Sequence, residues 1–363
     1  MATTLIIVGK SLKINKPFLD YINSQIALHV ETPSQSLFLD KNDTNFFELL
    51  EKAINLTEQC VVVASENSFN LVGKIVSTLN EDVLELKDNT LTPTKSTIYC
   101  TNSYVVEYQE RKINIIRAKE SETLPKILLE NRSTSTLFSL IGLDEDSTKI
   151  LLAPLADTHD VKLTSTSIID GLSLVEATTY KYGNLENFLK SVKSLFPDKF
   201  IQNENILIHI VKSLKKVNKT LTTAESCTGG EIASMITSIS GSSEIFKGGI
   251  ISYSNSIKKA WLGVGDDTFK NYGAVSELCI REMLEGALKR SSSDYAVATS
   301  GIAGPDGGTK TKPVGTVFVG ARSKNGNILV ERLLLQGDRA YIQKQSCFHA
   351  LKLLLLIDRD VFF

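Results

Sequence analysis

Histidine is scarce, with four in 363 residues, and none of His29, His159, His209 or His349 falls in the chain's polar, glycine-bearing loops. That argues against a Ser-His-Asp triad. The five cysteines (Cys60, Cys100, Cys227, Cys279, Cys347) are odd in number and show no CxxC pair or metal-ligand spacing. They fit free thiols in a reducing compartment better than a disulfide framework. Lys plus Arg is 40 against 41 Asp plus Glu, so a formal net charge of -1 provides no global field for nucleic acid or an anionic membrane. No run approaches roughly 18 apolar residues, and the start, MATTLIIVGK, lacks a basic segment leading into an apolar one. The expectation is a soluble, cytoplasmic protein without a membrane partner.

The length suggests two or three domains. Short apolar runs at Leu5–Val8 and Cys60–Ala64, with a helix over Asn45–Leu56 between them, read as an α/β unit. Ile113–Ile116 adds a strand and Ser121–Leu129 reads as a helix, which places the first boundary near 130. From 134 to 200, strands at Leu137–Ile141, Val161–Thr166 and Ser173–Thr179, with helices near 146–152 and 185–195, describe a small α+β module. The third unit opens on an amphipathic helix marked by Ile206, Leu207, Ile210, Val211 and Leu214. Further on, Asn325-Gly326 marks a hairpin, and the closing helix carries Ile342, His349, Ala350, Leu353 and Leu354 on one face.

The third unit holds every dense motif. Thr223-Ala224-Glu225-Ser226-Cys227-Thr228-Gly229-Gly230 sets a hydroxyl beside a thiol on a strand-to-helix turn. Free amides of the helix's first turn would there stabilise an oxyanion or a phosphate. A second apolar strand ends in Ser252-Tyr253-Ser254-Asn255, followed by Lys258 and Lys259. A third loop runs from Ser300 to Gly308, and Gly337-Asp338-Arg339 puts an arginine at a helix start. Without a nearby histidine, Ser226 needs another base, and a desolvated lysine such as Lys258 serves. Each feature has a plainer reading: a glycine turn for packing, Cys227 as core, Lys258 and Lys259 as a solvated helix face, Arg339 in an ion pair, and His349 as a core or interface residue. What tips the balance is that all the polar loops fall between Thr223 and Arg339, most of them at strand ends.

At these residues the chain resembles the CinA C-terminal domain family, which includes bacterial nicotinamide mononucleotide deamidases. The likeness covers about residues 203–358 and rests on TAESCTGG, GSSEIFKGGIISYSN, GAVSE at Gly273–Glu277, SGIAGPDGG, KPVGTV at Lys312–Val317, and GDR. It implies a three-layer α/β/α amidohydrolase domain over 203–363 with a Ser/Lys dyad at Ser226 and Lys258. Lys259 is adjacent but sits one place off the family spacing. Backbone amides at Cys227, Thr228 and Gly229 would hold the oxyanion. Tyr253, Asn255, Ser300, Gly301, Gly304 and Arg339 would bind the substrate. The implied partner is nicotinamide mononucleotide, the implied assembly a homo-oligomer such as a dimer, and the chemistry calls for no metal or cofactor.

Full-length relatives carry a molybdopterin-binding-like α/β domain and then a KH-like α+β module, an order that fits residues 1–130 and 131–202 here. Where relatives show GGLGPTxDD-like and LPGPPSE-like loops, this chain has Ala64-Ser65-Glu66-Asn67-Ser68-Phe69 and Ile116-Arg117-Ala118-Lys119-Glu120-Ser121-Glu122. The paired aspartates and the glycines are missing, so the first domain reads as degenerate, a scaffold or dimerisation element rather than a metal-dependent pyrophosphatase. A different class is a non-catalytic nucleotide-binding or regulatory protein linked to competence or DNA damage. Direct nucleic-acid binding is disfavoured, because no basic stripe with interleaved aromatics occurs.

Overall fold

The computed structural model describes residues 3–30, 33–129, 135–179, 182–203 and 205–363. The chain divides into two compact units, Met1–Thr134 and Ser135–Phe363. The boundary expected near 130 falls outside the described residues.

The first unit runs β1 (Thr3–Val8), α1 (Lys10–Ile14), α2 (Lys16–Ala27), β2 (Gln35–Leu39), α3 (Phe46–Ile54), β3 (Gln59–Ser65), α4 (Glu66–Leu79), β4 (Leu84–Lys87), β5 (Thr90–Pro93), β6 (Ile98–Cys100), β7 (Ser103–Tyr108) and β8 (Arg111–Ala118). Its six-stranded sheet has the order β2-β1-β3-β8-β7-β6, with the first four strands parallel. Central strands buried on both faces read as continuous apolar runs, which is why Leu5–Val8 and Cys60–Ala64 are legible. Ile6, Val8 and Val62 pack with α3 and α4, and Leu5, Ile7 and Val61 with α1 and α2.

The helix expected over Ser121–Leu129 does not form; the segment is irregular and non-helical. Leu124 precedes Pro125, which disfavours helical backbone at that point. Tertiary acceptors then take the segment's amides: Tyr21 Oη accepts from Leu124 N at 3.0 Å, and the buried Asn114 Oδ1 accepts from Leu128 N at 2.7 Å.

The second unit begins with β9 (Ser135–Ile141), α5 (Glu145–His159), β10 (Val161–Ile169), β11 (Leu172–Thr179), α6 (Leu185–Leu195) and β12 (Phe200–Ile201). These strands form an antiparallel sheet in the order β10-β11-β9-β12. There follow α7 (Ile206–Lys216), β13 (Leu221–Glu225), α8 (Glu231–Thr237), β14 (Phe246–Ile251), α9 (Asn255–Leu262), α10 (Asp266–Asn271), α11 (Glu277–Ser291), β15 (Tyr295–Gly301), β16 (Thr316–Ser323), β17 (Ile328–Leu334), α12 (Arg339–Ile357) and α13 (Arg359–Phe362).

The larger sheet has the order β14-β13-β15-β16-β17, parallel across β14, β13 and β15 and antiparallel beyond. Alternation along β15 sends Tyr295 and Val297 toward α7, α8 and α12, and Ala296 and Ala298 toward α9 and α11. The result is the expected three-layer α/β/α architecture. Ile141, Ile169, Leu172 and Ile201 of the smaller sheet join the same apolar cluster as α7 and α12.

Gly286 on α11 sets how closely α9 can approach. A Cβ at this position would stand 2.0 Å from the Leu262 carbonyl oxygen, the last residue of α9. Gly286→Ala is therefore expected to lower stability by about 1–3 kcal/mol through overpacking. Chemical denaturation against the parent protein checks this.

Candidate active site

Three parallel strands end side by side, and chain reversals beyond them gather the polar residues. Ser226 follows directly on β13, with its amide donating to Thr299 O at 3.0 Å and its carbonyl accepting from Gly229 N at 3.1 Å. One strand over, β14 runs into Ser252, whose amide donates to Glu225 O at 2.7 Å. Ser254 caps α9 by accepting from Ile257 N at 3.2 Å. The first turn of α9 then carries Lys258 back across the strand ends.

Lys258 is 1% exposed and Ser226 8% exposed. Lys258 Nζ lies 2.8 Å from Ser226 Oγ, 2.7 Å from the Ser252 carbonyl oxygen and 3.2 Å from that of Tyr253. All three partners are neutral oxygens. Burial without a compensating carboxylate lowers the amine's pKa from its ordinary 10.5. A neutral amine has two N–H bonds and one lone pair, which matches two carbonyl acceptors and one hydroxyl donor. Lys259 points elsewhere: it is exposed and pairs with Asp266.

The amides at the start of α8 are not free to bind a ligand, contrary to expectation. The buried Glu225 carboxylate accepts from Gly230 N at 3.1 Å, Ile232 N at 3.0 Å, Ala233 N at 2.9 Å and Thr228 Oγ1 at 2.7 Å. A carboxylate at a helix N-terminus is favourable, and this one fills the position that a substrate phosphate would otherwise take. Thr228 Oγ1 also bonds Thr299 Oγ1 at 2.7 Å. Gln343 of α12 donates from Nε2 to the Cys227 carbonyl at 2.5 Å.

Ser226, Cys227, Tyr253, Asn255 and Lys258 line one cavity of about 300 Å³. Ser300, Gly301, Gly304 and Arg339 complete its far wall, together with Asp306 and the Ala274-Val275 segment. Thr228 and Gly229, expected as oxyanion donors, are not among the lining residues, and the Gly229 amide is spent on the Ser226 carbonyl. The Cys227 amide, next after the nucleophile, donates to no backbone carbonyl among the described residues. Arg339 donates to Gly304 O at 2.8 Å and to Tyr253 Oη at 3.2 Å, which leaves further guanidinium N–H groups for a ligand. Ser300 Oγ donates to Ala274 O at 2.8 Å, and Lys312 Nζ to the carbonyls of Tyr272 and Val275, both at 2.7 Å, so the wall is braced from two sides. Gly301 is required by space, since a Cβ there would meet Val317 Cγ2 at 2.6 Å.

Glu225 and Gln343 are the contributors that residue-by-residue reading passes over. Glu225 lies inside the TAESCTGG motif but resembles no ordinary cap, because its amide partners are five to eight residues ahead. Gln343 carries one faint signal: it stands four residues after Arg339 and so shares its helix face. In the first unit, the two stretches at the ends of β3 and β8 are tied together, with Glu66 3.5 Å from Arg117 and 3.4 Å from Lys119. Among the described residues, no three His, Cys, Asp or Glu side chains are placed to hold a metal ion. Among the same residues, no helix is long and apolar enough to cross a membrane.

Residues 203–357 match the family model described as the CinA C-terminal domain. A CinA-like protein of Thermotoga neapolitana is 49% identical over 143 residues, 39% of this chain and 35% of that protein. A putative competence-damage inducible protein of Thermoanaerobacter sp. is 32% identical over 265 residues, 68% of this chain and 64% of that one. The chain thus spans between about one third and two thirds of these relatives' own length. Among solved structures, the competence/damage inducible protein CihA from Agrobacterium tumefaciens is 39% identical, with a TM-score of 0.41, covering 42% of this chain and 93% of that one.

Burial keeps the thiol beside Ser226 protonated. It pushes Cys227 up to about 12 and Cys279 up to about 11, so both stay protonated near neutral pH. Cys100 is the one cysteine that is not buried. Alkylation of native protein at pH 8 should modify Cys100 first and leave Cys227 and Cys279 intact, with all five reacting in guanidinium. Peptide mass mapping reads the result.

Proposed function

The chain belongs to the CinA family, and from that premise we propose that its C-terminal domain is a serine amidohydrolase converting nicotinamide mononucleotide to nicotinate mononucleotide and ammonia. The observation that carries the reading is the 2.8 Å contact between a buried lysine amine, held by neutral partners only, and a serine hydroxyl at a cavity wall. Neutral Lys258 takes the Ser226 proton as Oγ bonds to the carboxamide carbon. The Cys227 amide faces the developing oxyanion, a kind of interaction worth about 3 kcal/mol per donor. The tetrahedral adduct collapses with cleavage of the C–N bond, and the Lys258 ammonium returns its proton to the leaving ammonia. Water, deprotonated by the same amine, then hydrolyses the acyl-enzyme and frees Ser226.

Arg339, at the start of α12, is the cation available for the nucleotide phosphate, and Tyr253 and Asn255 flank the lysine where the ring would lie. For the first unit the reading is a scaffold. Its counterpart loops carry a Glu66–Arg117–Lys119–Glu122 cluster in which both carboxylates are already paired with cations.

Incubation with nicotinamide mononucleotide should release ammonia, and Ser226→Ala and Lys258→Ala should each lower kcat by roughly 1,000-fold or more. A folded wild type that binds the nucleotide and releases nothing would instead mark a non-catalytic nucleotide-binding protein. The pH profile carries a separate signature. Protonating Lys258 removes the base, so kcat/KM should fall on the acid side and rise to a plateau through an inflection below 10.5. An inflection at or above the ordinary lysine value would exclude Lys258 as a desolvated base.

A further inference from the structure

We propose that Gln343 is a positioning residue for the reaction, holding from α12 the turn that carries the nucleophile and its neighbouring amide. The inference rests on the amidohydrolase reading and deepens it. Cys227 lies between two peptide planes, and each is clamped at its carbonyl. The Ser226 carbonyl accepts from Gly229 N at 3.1 Å, a bond internal to the turn. The Cys227 carbonyl accepts from Gln343 Nε2 at 2.5 Å, a bond that reaches from an element 116 residues away.

Because a peptide unit is planar and trans, fixing a carbonyl fixes the opposed N–H. The Ser226 plane therefore sets the Cys227 N–H, an amide that donates to no backbone carbonyl among the described residues and belongs to a residue lining the cavity. The plane held by Gln343 sets the Thr228 N–H and fixes the far side of the Cys227 Cα, so that the first plane is restrained from swinging about that atom. Glu225 takes the Thr228 hydroxyl and the amides of Gly230, Ile232 and Ala233, and the Thr228 amide belongs to a residue that does not line the cavity. Glu225 fixes the turn from below, and Gln343 is its link to the helix whose first residue, Arg339, stands on the same cavity. A second strap joins the same pair of helices, with Lys344 3.3 Å from Glu231, but it is a half-exposed ion pair and touches no backbone of the turn. The amide of Gln343 therefore acts on geometry. Its loss should leave the ground-state pocket and the Lys258 environment alone and slow the step in which the oxyanion forms.

The test compares wild type, Gln343→Met, which keeps the length and removes the donor, and Gln343→Lys, which restores a donor. Ammonia release from nicotinamide mononucleotide is followed across pH, and thermal unfolding is recorded alongside. Gln343→Met is expected to lower kcat by about tenfold or more, since a misdirected oxyanion donor forfeits much of its roughly 100-fold or greater contribution. KM should stay within about twofold, the acid-side inflection should not move, and Gln343→Lys should recover most of the rate. Wild-type kcat in Gln343→Met overturns the proposal while leaving the amidohydrolase standing. So does a loss that tracks a collapse in thermal stability and is not relieved by lysine. A wild type that releases no ammonia removes the amidohydrolase reading and this proposal with it.

Discussion

A lysine amine buried without a counter-ion is the constraint around which the C-terminal half is arranged. Taking a charge out of water costs several kcal/mol unless it is paired, so such an amine is tolerable mainly in its neutral form. The surroundings of Lys258 suit that form: two backbone carbonyls and one hydroxyl, with no carboxylate among its bonded partners. To hold this arrangement, two adjacent parallel strands must end at the same level, and the crossover between them must place α9 over their ends. The buried Ser252, whose amide is bonded to the Glu225 carbonyl, locks that level.

A second feature is the economy of hydrogen-bond donors around the serine. Helix N-termini attract anions, and a short helix after a glycine turn would ordinarily be the place to seat one. Here the protein supplies the anion itself, as the side chain of Glu225. The positive end of α8 is neutralised internally, and the cationic side chain that lines the cavity is Arg339, at the start of α12.

Much of this was legible from residue order because the relevant physics is local. Runs such as Leu5–Val8 and Cys60–Ala64 are apolar because both faces of their sheet are covered, and the 3.6-residue period of α7 follows from one covered face. Ser226 and Lys258 stood out because each follows a strand end, where α/β sheets gather ligands. The illegible parts depend on distant partners. Ser121–Leu129 has helical composition, yet Tyr21 and Asn114 bind its amides in a non-helical path. The reach of Gln343 to Cys227 is likewise a tertiary contact that no spacing encodes, whereas the bonds of the Gly229 amide and the Glu225 carboxylate are local and depend on the path of the turn itself.

The larger sheet shares its apolar cluster with the smaller one, through Ile141, Ile169, Leu172 and Ile201 packed with residues of α7 and α12. Lys352 of α12 reaches the Asp170 carbonyl at 3.3 Å in the same region. The stretch that bears the chemistry therefore does not close its own core within this unit; the small module serves as part of its wall. A lineage that shed the module would have to repaint the uncovered faces of α7 and α12 with polar residues, so a freestanding descendant should be recognisable by its changed helix surfaces even where its serine and lysine are untouched.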